Sequence, residues 1–551
     1  MRRFLSLLLW LAAVVCLLVG TATAALFGPD DRAQTGLLPV SGDAGVAVVE
    51  PRVLPVAGLD VQVTAQTGAE RPLFLGLGNA VDVDSYADGV AQTRVKQVQL
   101  RRSLKQPLRL VAAPVTGSDT LPGPPDEIDW WFAAQQGDGA VQMQVELPTT
   151  QAQVVVVALD GEPLGGLEVG ASYHQQGAFG TGLGLAGLAL GLVLFGWLAW
   201  PPSRPGAEPA ARSEPIVEGS SPAAEPLDQR QRRVPLVALA LVCGLTTAAC
   251  ELPQRVDRQP TKLAASQDEG AEVVERWAAQ RAEALRTLDP QPLSAVEQAP
   301  TLQIDEGAFE VARRLLDDET AEINQDLRLR SVQSPRLPRY PVWFVAVVED
   351  VAGSVAKVQV HRRGTAAGDW MLVAQADVLS STELPSMAVD STGAITPVGP
   401  AEATGLQAPP QDVADAYADL LVGAAADGGE LVTVDSFVQQ MRTVETSQSS
   451  VEGVALQQSW SAHKVRWAMR TDDGGALMFA TFDRSDAYRL KSPKSIRWAA
   501  QSEQRAFLDD STDKRPTLDY LHQVLFYLPP AGAGAARAIG QYGGVVGLAD
   551  R

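Results

Sequence analysis

Four histidines, His174, His361, His463 and His522, are the side chains best suited to move protons near neutral pH. General acid–base work also needs a carboxylate partner, and none of the four has one at a readable spacing. His361 sits in "VQVHRRG" at a strand end and His463 in "SAHKVRW" inside a strand pattern, so all four read as surface or satisfied core residues. Asp82, Asp84 and Asp88 cluster with Tyr86 in "VDVDSYADG", but the glycine and final glutamate of a calcium loop are missing. The cluster reads as a helix start with exposed acids. Trp130 and Trp131, followed by Phe132, are candidate ligand-contact aromatics for a sugar or peptide; the plainer reading buries one or two of them. "GLG" at 76–78 lacks the strand–loop–helix setting of a dinucleotide site. The sequence carries no H-E-x-x-H, G-x-S-x-G, P-loop or S-x-x-K motif, so no catalytic, cofactor-binding or metal residue is assigned.

The elements that must position these residues begin with composition. A chain of 551 residues exceeds one ordinary domain. Its 65 acidic against 45 basic side chains, net −20, argue against nucleic acid as a partner. Cys16, Cys243 and Cys250 all lie in or beside apolar segments, so disulfides and thiolate zinc are excluded from the remainder.

Three apolar segments set the expected topology. Residues 1–25 have Arg2 and Arg3 before a long apolar run and close on Ala22-Thr23-Ala24, so they read as a signal peptide cut after Ala24 or as a retained anchor. Residues 177–201 carry no charge, end in Trp197 and Trp200, and read as a transmembrane helix. Gly180, Gly184, Gly187 and Gly191 fall at spacings that let a second helix come close. Residues 234–250 are short for a span and end in "TTAAC", a lipobox-like stretch with Thr247 where leucine is usual, so Cys250 is a candidate for lipidation. Between them, 202–233 read as a disordered cytoplasmic linker, with Arg230, Arg232 and Arg233 beside the third segment. This distribution of basic residues predicts a cell-membrane protein with both large folded regions extracytoplasmic.

Residues 26–176 alternate as strands ("LDVQVTAQ", "PLFLGLG", "QAQVVVVALDG") and predict an extracytoplasmic β-rich domain of sandwich type. "PLFLGLGNAVDVDSYADGVAQTRVKQV", with "PPDEIDWWFAAQQGDG" and "VVVVALDGEP", resembles a family of uncharacterised actinobacterial membrane proteins. That resemblance implies architecture and location, and no activity.

Beyond a tether at 251–269, residues 270–400 read as an α+β module opening on a helix with Val274, Trp277, Ala278, Arg281 and Leu285 along one face. Residues 401–530 read as a second α+β module, and 531–551 as a glycine-rich tail. Helices followed by a strand meander resemble tandem cone-like modules of the cystatin-like or nuclear-transport-factor-two-like type. Such pairs behind a lipobox, with a "YPVWFVAV" strand, also resemble uncharacterised actinobacterial lipoproteins.

The expected fold is thus a multi-domain membrane protein. The leading functional expectation is a non-enzymatic cell-envelope protein whose anchored modules bind an envelope protein or polymer. The alternatives are a hydrolase- or isomerase-type enzyme using a cone pocket, and an accessory subunit of a transport or secretion complex. With both ends tagged, one full-length band in wild type and Cys250→Ala is expected if the third segment is a plain span. Splitting near Cys250 in wild type alone marks a lipoprotein signal.

Overall fold

Apolar helices form where charge is absent and backbone groups must bond internally. The computed structural model describes residues 2–53, 58–99, 109–200, 259–315, 327–350, 355–379, 381–423, 429–451, 453–490, 495–508, 511–512 and 515–549. Cys243, Cys250, the linker and the third apolar segment lie outside the described residues. The helices are α1 (Arg2–Phe27), α2 (Ala80–Tyr86), α3 (Ala178–Ala199), α4 (Gln267–Thr287), α5 (Thr301–Leu315), α6 (Pro410–Leu421), α7 (Ser436–Ser449) and α8 (Gln504–Phe507). Two compact units result. The first is Met1–Gly78, Gly89–Thr120 and Trp131–Arg258; the second is Asn79–Asp88, Leu121–Trp130 and Gln259–Arg551.

In the first unit, α1 and α3 are each long and apolar enough to cross a membrane. They lie against one another. A Cβ on Gly20 would meet the Gly182 carbonyl oxygen at 2.6 Å, and one on Gly182 would meet the Ala24 nitrogen at 2.7 Å. Trp10 and Trp200 stack with centroids 5.4 Å apart. Asp31, in the left-handed turn after α1, accepts hydrogen bonds from the Gly177 and Phe179 amides, both at 2.8 Å. It thereby caps the first turn of α3 and holds the end of one helix to the start of the other. Those bonds, Phe179's first, hold its carboxyl below the usual range. The expected glycine stripe is not the contact: Gly180, Gly184, Gly187 and Gly191 meet nothing within 4 Å.

The rest of this unit is two sheets. One joins β1 (Arg32–Gln34), β2 (Leu38–Pro39), β4 (Asp60–Gln66), β9 (Ala140–Glu146) and β11 (Glu168–His174). The other runs β7 (Arg109–Val115), β6 (Gln92–Gln99), β3 (Val46–Val49), β10 (Ala152–Ala158), β5 (Pro72–Asn79), β8 (Ala133–Asp138). Inward residues of both sheets share one core, including Val61, Val63 and Met143 from the first and Leu73, Leu75, Val95 and Val156 from the second. Burying alternate side chains of two sheets against each other is the sandwich arrangement the alternation predicts.

The second unit departs from the expected division. Its small strands β12 (Lys262–Leu263) and β14 (Arg336–Leu337) pair, as do β21 (Ile496–Arg497) and β22 (Ser511–Thr512). The main sheet is continuous: β13 (Leu327–Gln333), β15 (Val342–Asp350), β16 (Val355–Arg363), β17 (Trp370–Leu379), β24 (Arg537–Leu548), β23 (Thr517–Leu528), β20 (Ala476–Leu490) and β18 (Val454–Ala462), with β19 (Trp467–Arg470) also on β20. The segments read as modules 270–400 and 401–530 therefore form one sheet. The strand between their halves is the segment read as a glycine-rich tail.

Glycine is depleted from strands because it packs nothing, which is why 537–548 do not read as one. Here the missing side chains are required. A Cβ on Gly540 would meet Val378 at 2.6 Å, and one on Gly543 the Leu521 carbonyl oxygen at 2.5 Å. α5 also crosses β24 so closely that a Cβ on Gly307 would meet the Val545 carbonyl oxygen at 1.8 Å. α4 starts where Ser266 accepts the Glu269 amide at 3.1 Å and ends at Leu288, in the left-handed region. It lays Val273, Val274 and Trp277 inward. At the other end α6 and α7 fill the sheet's face with Val413, Tyr417, Leu421, Phe437 and Met441.

The Gly307 contact predicts that Gly307→Ala destabilises the second unit by about 3 kcal/mol, since backbone cannot move aside as a side-chain tip does. Gly187→Ala, in open space, should be near neutral. Thermal unfolding of both variants checks this, and equal melting temperatures would refute it.

Candidate functional site

The most unusual chemistry of the second unit lies where its two sheet halves meet. β17 pairs β24 only through Asp377 and Gln541. Beside this thin join, the Gln523 side chain replaces a strand's backbone. Its Oε1 accepts the Gln375 amide at 3.0 Å and its Nε2 donates to the Val373 carbonyl at 2.9 Å. Thr301 of α5 adds a bond to the same amide group at 3.2 Å. Gln375, Gln523 and Thr301 are fully buried, so each bond answers a backbone or side-chain group that water cannot reach.

Around this join α4, the loop before α5, α5 and β24 bring five residues together. Trp277 Nε1 donates to Glu297 at 2.7 Å, Arg281 reaches Asp305 at 3.5 Å, and the Tyr542 hydroxyl donates to Asp305. Glu297 and Asp305 are 1% and 2% exposed. One oxygen of each, Glu297 Oε2 and Asp305 Oδ2, has no donor among the described residues. Two buried carboxyl groups facing one cation cannot both stay ionised cheaply. Burial, then the neighbouring Asp305 carboxylate, holds the Glu297 carboxyl well above its ordinary range, so Glu297 keeps its proton. Burial and Asp305 raise the Tyr542 hydroxyl as well.

Sequence reading put Arg281 on the inward face of α4, and that was the available signal: an arginine on an apolar stripe needs a buried partner. Glu297, Asp305 and Tyr542 were missed because they come from a loop, a second helix and the supposed tail.

Asp82, expected as an exposed acid, is 2% exposed. Within the second unit it accepts from Lys262 Nζ at 2.7 Å and from the Tyr340 hydroxyl at 2.6 Å. Burial and the Asp82 charge push the Tyr340 hydroxyl far up. The correction has a simple cause: α2 is seven residues long, capped by Asn79, and almost wholly buried. Trp130 donates to the Ala366 carbonyl at 2.9 Å and lies edge-on to Tyr86. Trp131, in the first unit, packs on Phe74 and closes over Gly76. Both indoles are half-buried and engaged within the chain, while Phe132 is exposed.

The histidines separate by burial. His174 is exposed at the end of β11. His361 stacks on Phe344 with centroids 5.0 Å apart and meets Gln359 at 3.3 Å; burial lowers it to about 3. His522, between Phe437, Trp460 and Tyr520, is likewise lowered to about 3 by burial. Beside it lies a buried pair, Arg484 and Asp486, with the guanidinium 4.2 Å from the Tyr520 ring centre. His463 does have a carboxylate, Asp483 at 2.7 Å, on the exposed surface. It was invisible in sequence because the partner lies across a strand pair. Among the described residues no group of three His, Cys, Asp or Glu side chains is placed to hold a metal. Cys16 is a free thiol in α1; Cys250 is outside the described residues, and α1 runs unbroken past Ala24.

The proton retained on Glu297 gives a pH test with a definite sign. An unfolded glutamate ionises near 4.5, whereas folded Glu297 ionises far higher. Its contribution is complete below about 4.5 and is lost as pH rises, by at most about 1.4 kcal/mol per pH unit. Glu297→Gln keeps the neutral shape and removes the titration. The wild-type melting temperature should therefore fall more from pH 7 to 9 than that of the variant; parallel profiles would count against a proton retained on Glu297.

No curated protein and no solved structure matches the chain. Residues 261–549, more than half its length and nearly all of the second unit's largest segment, match the family described as Domain of unknown function (DUF8094). The chain belongs to that family.

Proposed function

We propose that this protein is a non-enzymatic cell-envelope protein, held in the membrane by α1 and α3, whose extracytoplasmic parts act as binding or assembly modules. One observation carries the reading. The outward sides of the two helices are bare hydrocarbon: Leu11 is 66% exposed, Leu18 64%, Leu190 65%, Phe195 68% and Leu198 73%. A water-soluble fold does not leave so large a contiguous apolar surface uncovered. Asp31 holds the helix ends together, so the strands of β1–β11 leave and re-enter from one side. Arg2 and Arg3 at the opposite end of α1 favour the cytoplasm there. On this reading residues 1–25 stay as an anchor, and the linker lies inside. Lipidation of Cys250 and descent from actinobacterial envelope families belong to the same proposal. So does the cone-like reading of the second unit, which rests on helices laid along an antiparallel sheet.

A second reading, an accessory subunit of a membrane complex, is favoured by the open glycines Gly180, Gly184, Gly187 and Gly191, which α1 does not use.

The test is sidedness. Single cysteines are placed by Glu146→Cys, Glu272→Cys and Glu218→Cys in a chain with its native cysteines changed to serine. In intact cells a membrane-impermeant maleimide should label the first two. The linker position should react only after permeabilisation. Labelling of the linker in intact cells, or of the other two only in lysed ones, would overturn the proposal.

A further inference from the structure

The second unit is built from distant parts of the chain. Its largest segment, Gln259–Arg551, holds the family domain at 261–549. Asn79–Asp88 and Leu121–Trp130 belong to the same unit but lie outside the family. Both are excursions from the strands of the β-rich domain, the first between β5 and β6 and the second between β7 and β8. The family domain thus has a face that residues from another part of the chain cover.

The contacts on that face are specific ones. Lys262 and Tyr340 of the family domain both meet Asp82 Oδ1, at 2.7 and 2.6 Å. The loop between β16 and β17 is held at Ala366 by both segments. Its amide donates to the Ser85 hydroxyl at 3.0 Å, and its carbonyl accepts from Trp130 Nε1 at 2.9 Å. Arg363 reaches Asp129 at 3.3 Å. Val83 and Tyr86 of α2 are buried, and the Tyr86 hydroxyl ties the two segments together by donating to the Gly123 carbonyl at 2.6 Å. The charges are complementary: the segments bring the carboxylates Asp82 and Asp129, and the family domain the cations Lys262 and Arg363. Buried aromatic anchors, paired charges and hydrogen bonds to backbone are the parts from which protein–protein interfaces are made.

We propose that this face of the family domain is a docking surface for an exported, acid-bearing segment of a membrane-anchored protein. Here residues 79–88 and 121–130 of the same chain supply that segment, and the two parts form a non-covalent pair that outlasts a cut between them. The inference deepens the reading of the extracytoplasmic parts as assembly modules by naming their partner. Sidedness tests that reading, whereas separation of the pieces tests this inference alone. The full chain carries an N-terminal affinity tag, Cys250→Ala to prevent processing there, and a site-specific protease sequence inserted between Gln254 and Arg255. The piece from 255 onward then lacks both α1 and α3. The chain is purified in detergent, bound through its tag, cut and washed, and the C-terminal piece should stay bound. Asp82→Asn leaves Lys262 without its counter-charge and should raise the released fraction at least about tenfold. Asp129→Arg, at a side chain 70% exposed, sets two guanidinium groups against each other and should also raise release. It decides the matter if circular dichroism shows that Asp82→Asn fails to fold. Release of the wild-type piece, or equal retention in wild type and folded variants, overturns the inference.

Discussion

The second unit depends on one close approach, that of α5 to β24 at Gly307. Because no side chain separates helix from strand there, Asp305 comes within reach of Tyr542, and Thr301 within reach of Gln523. The same approach removes Glu297 and Asp305 from water. Arg281 and Tyr542 then answer Asp305, while Glu297 keeps its proton and accepts from Trp277. The glycines of β24 meet close neighbours too: a Cβ on Gly540 would meet Val378, and one on Gly543 the Leu521 carbonyl oxygen.

This explains why the sheet is continuous although its halves barely hydrogen-bond. A single paired position between β17 and β24 would leave backbone groups unanswered in the interior. The Gln523 amide supplies a donor and an acceptor at strand-like positions, and α5 covers the join. Polar side chains at such a place specify one alignment, because a slip by one residue would strand them without partners. The buried Asp82–Lys262–Tyr340 group follows the same rule: each of its charges is answered within hydrogen-bond distance.

The first unit rests on a different constraint. Its two helices expose hydrocarbon outward and meet through glycine and alanine inward, an arrangement suited to a solvent without water. Asp31 joins their ends, answering amides at the start of α3. From it the β-sandwich is suspended at both ends, by β1 after α1 and β11 before α3.

The sequence by itself determined the local elements: the two apolar helices, the alternating strands of the sandwich, and nearly every helix and strand of the second unit. These follow from periodicity and capping, which act over a few residues. Arg281 fell on the apolar stripe, but nothing in the sequence named its partner. Only the tertiary structure decided that 537–548 form a central strand, since their glycines are meaningful only beside Val378, Leu521 and α5. It alone decided that Asp82 is buried, that Glu297 and Asp305 meet, that Gly182 rather than Gly180 or Gly184 faces α1, and that His463 has Asp483 across the strand pair. Each is a contact between residues far apart in the chain or on separate strands, and no local pattern encodes which distant group will answer a given charge or fill the space a glycine leaves.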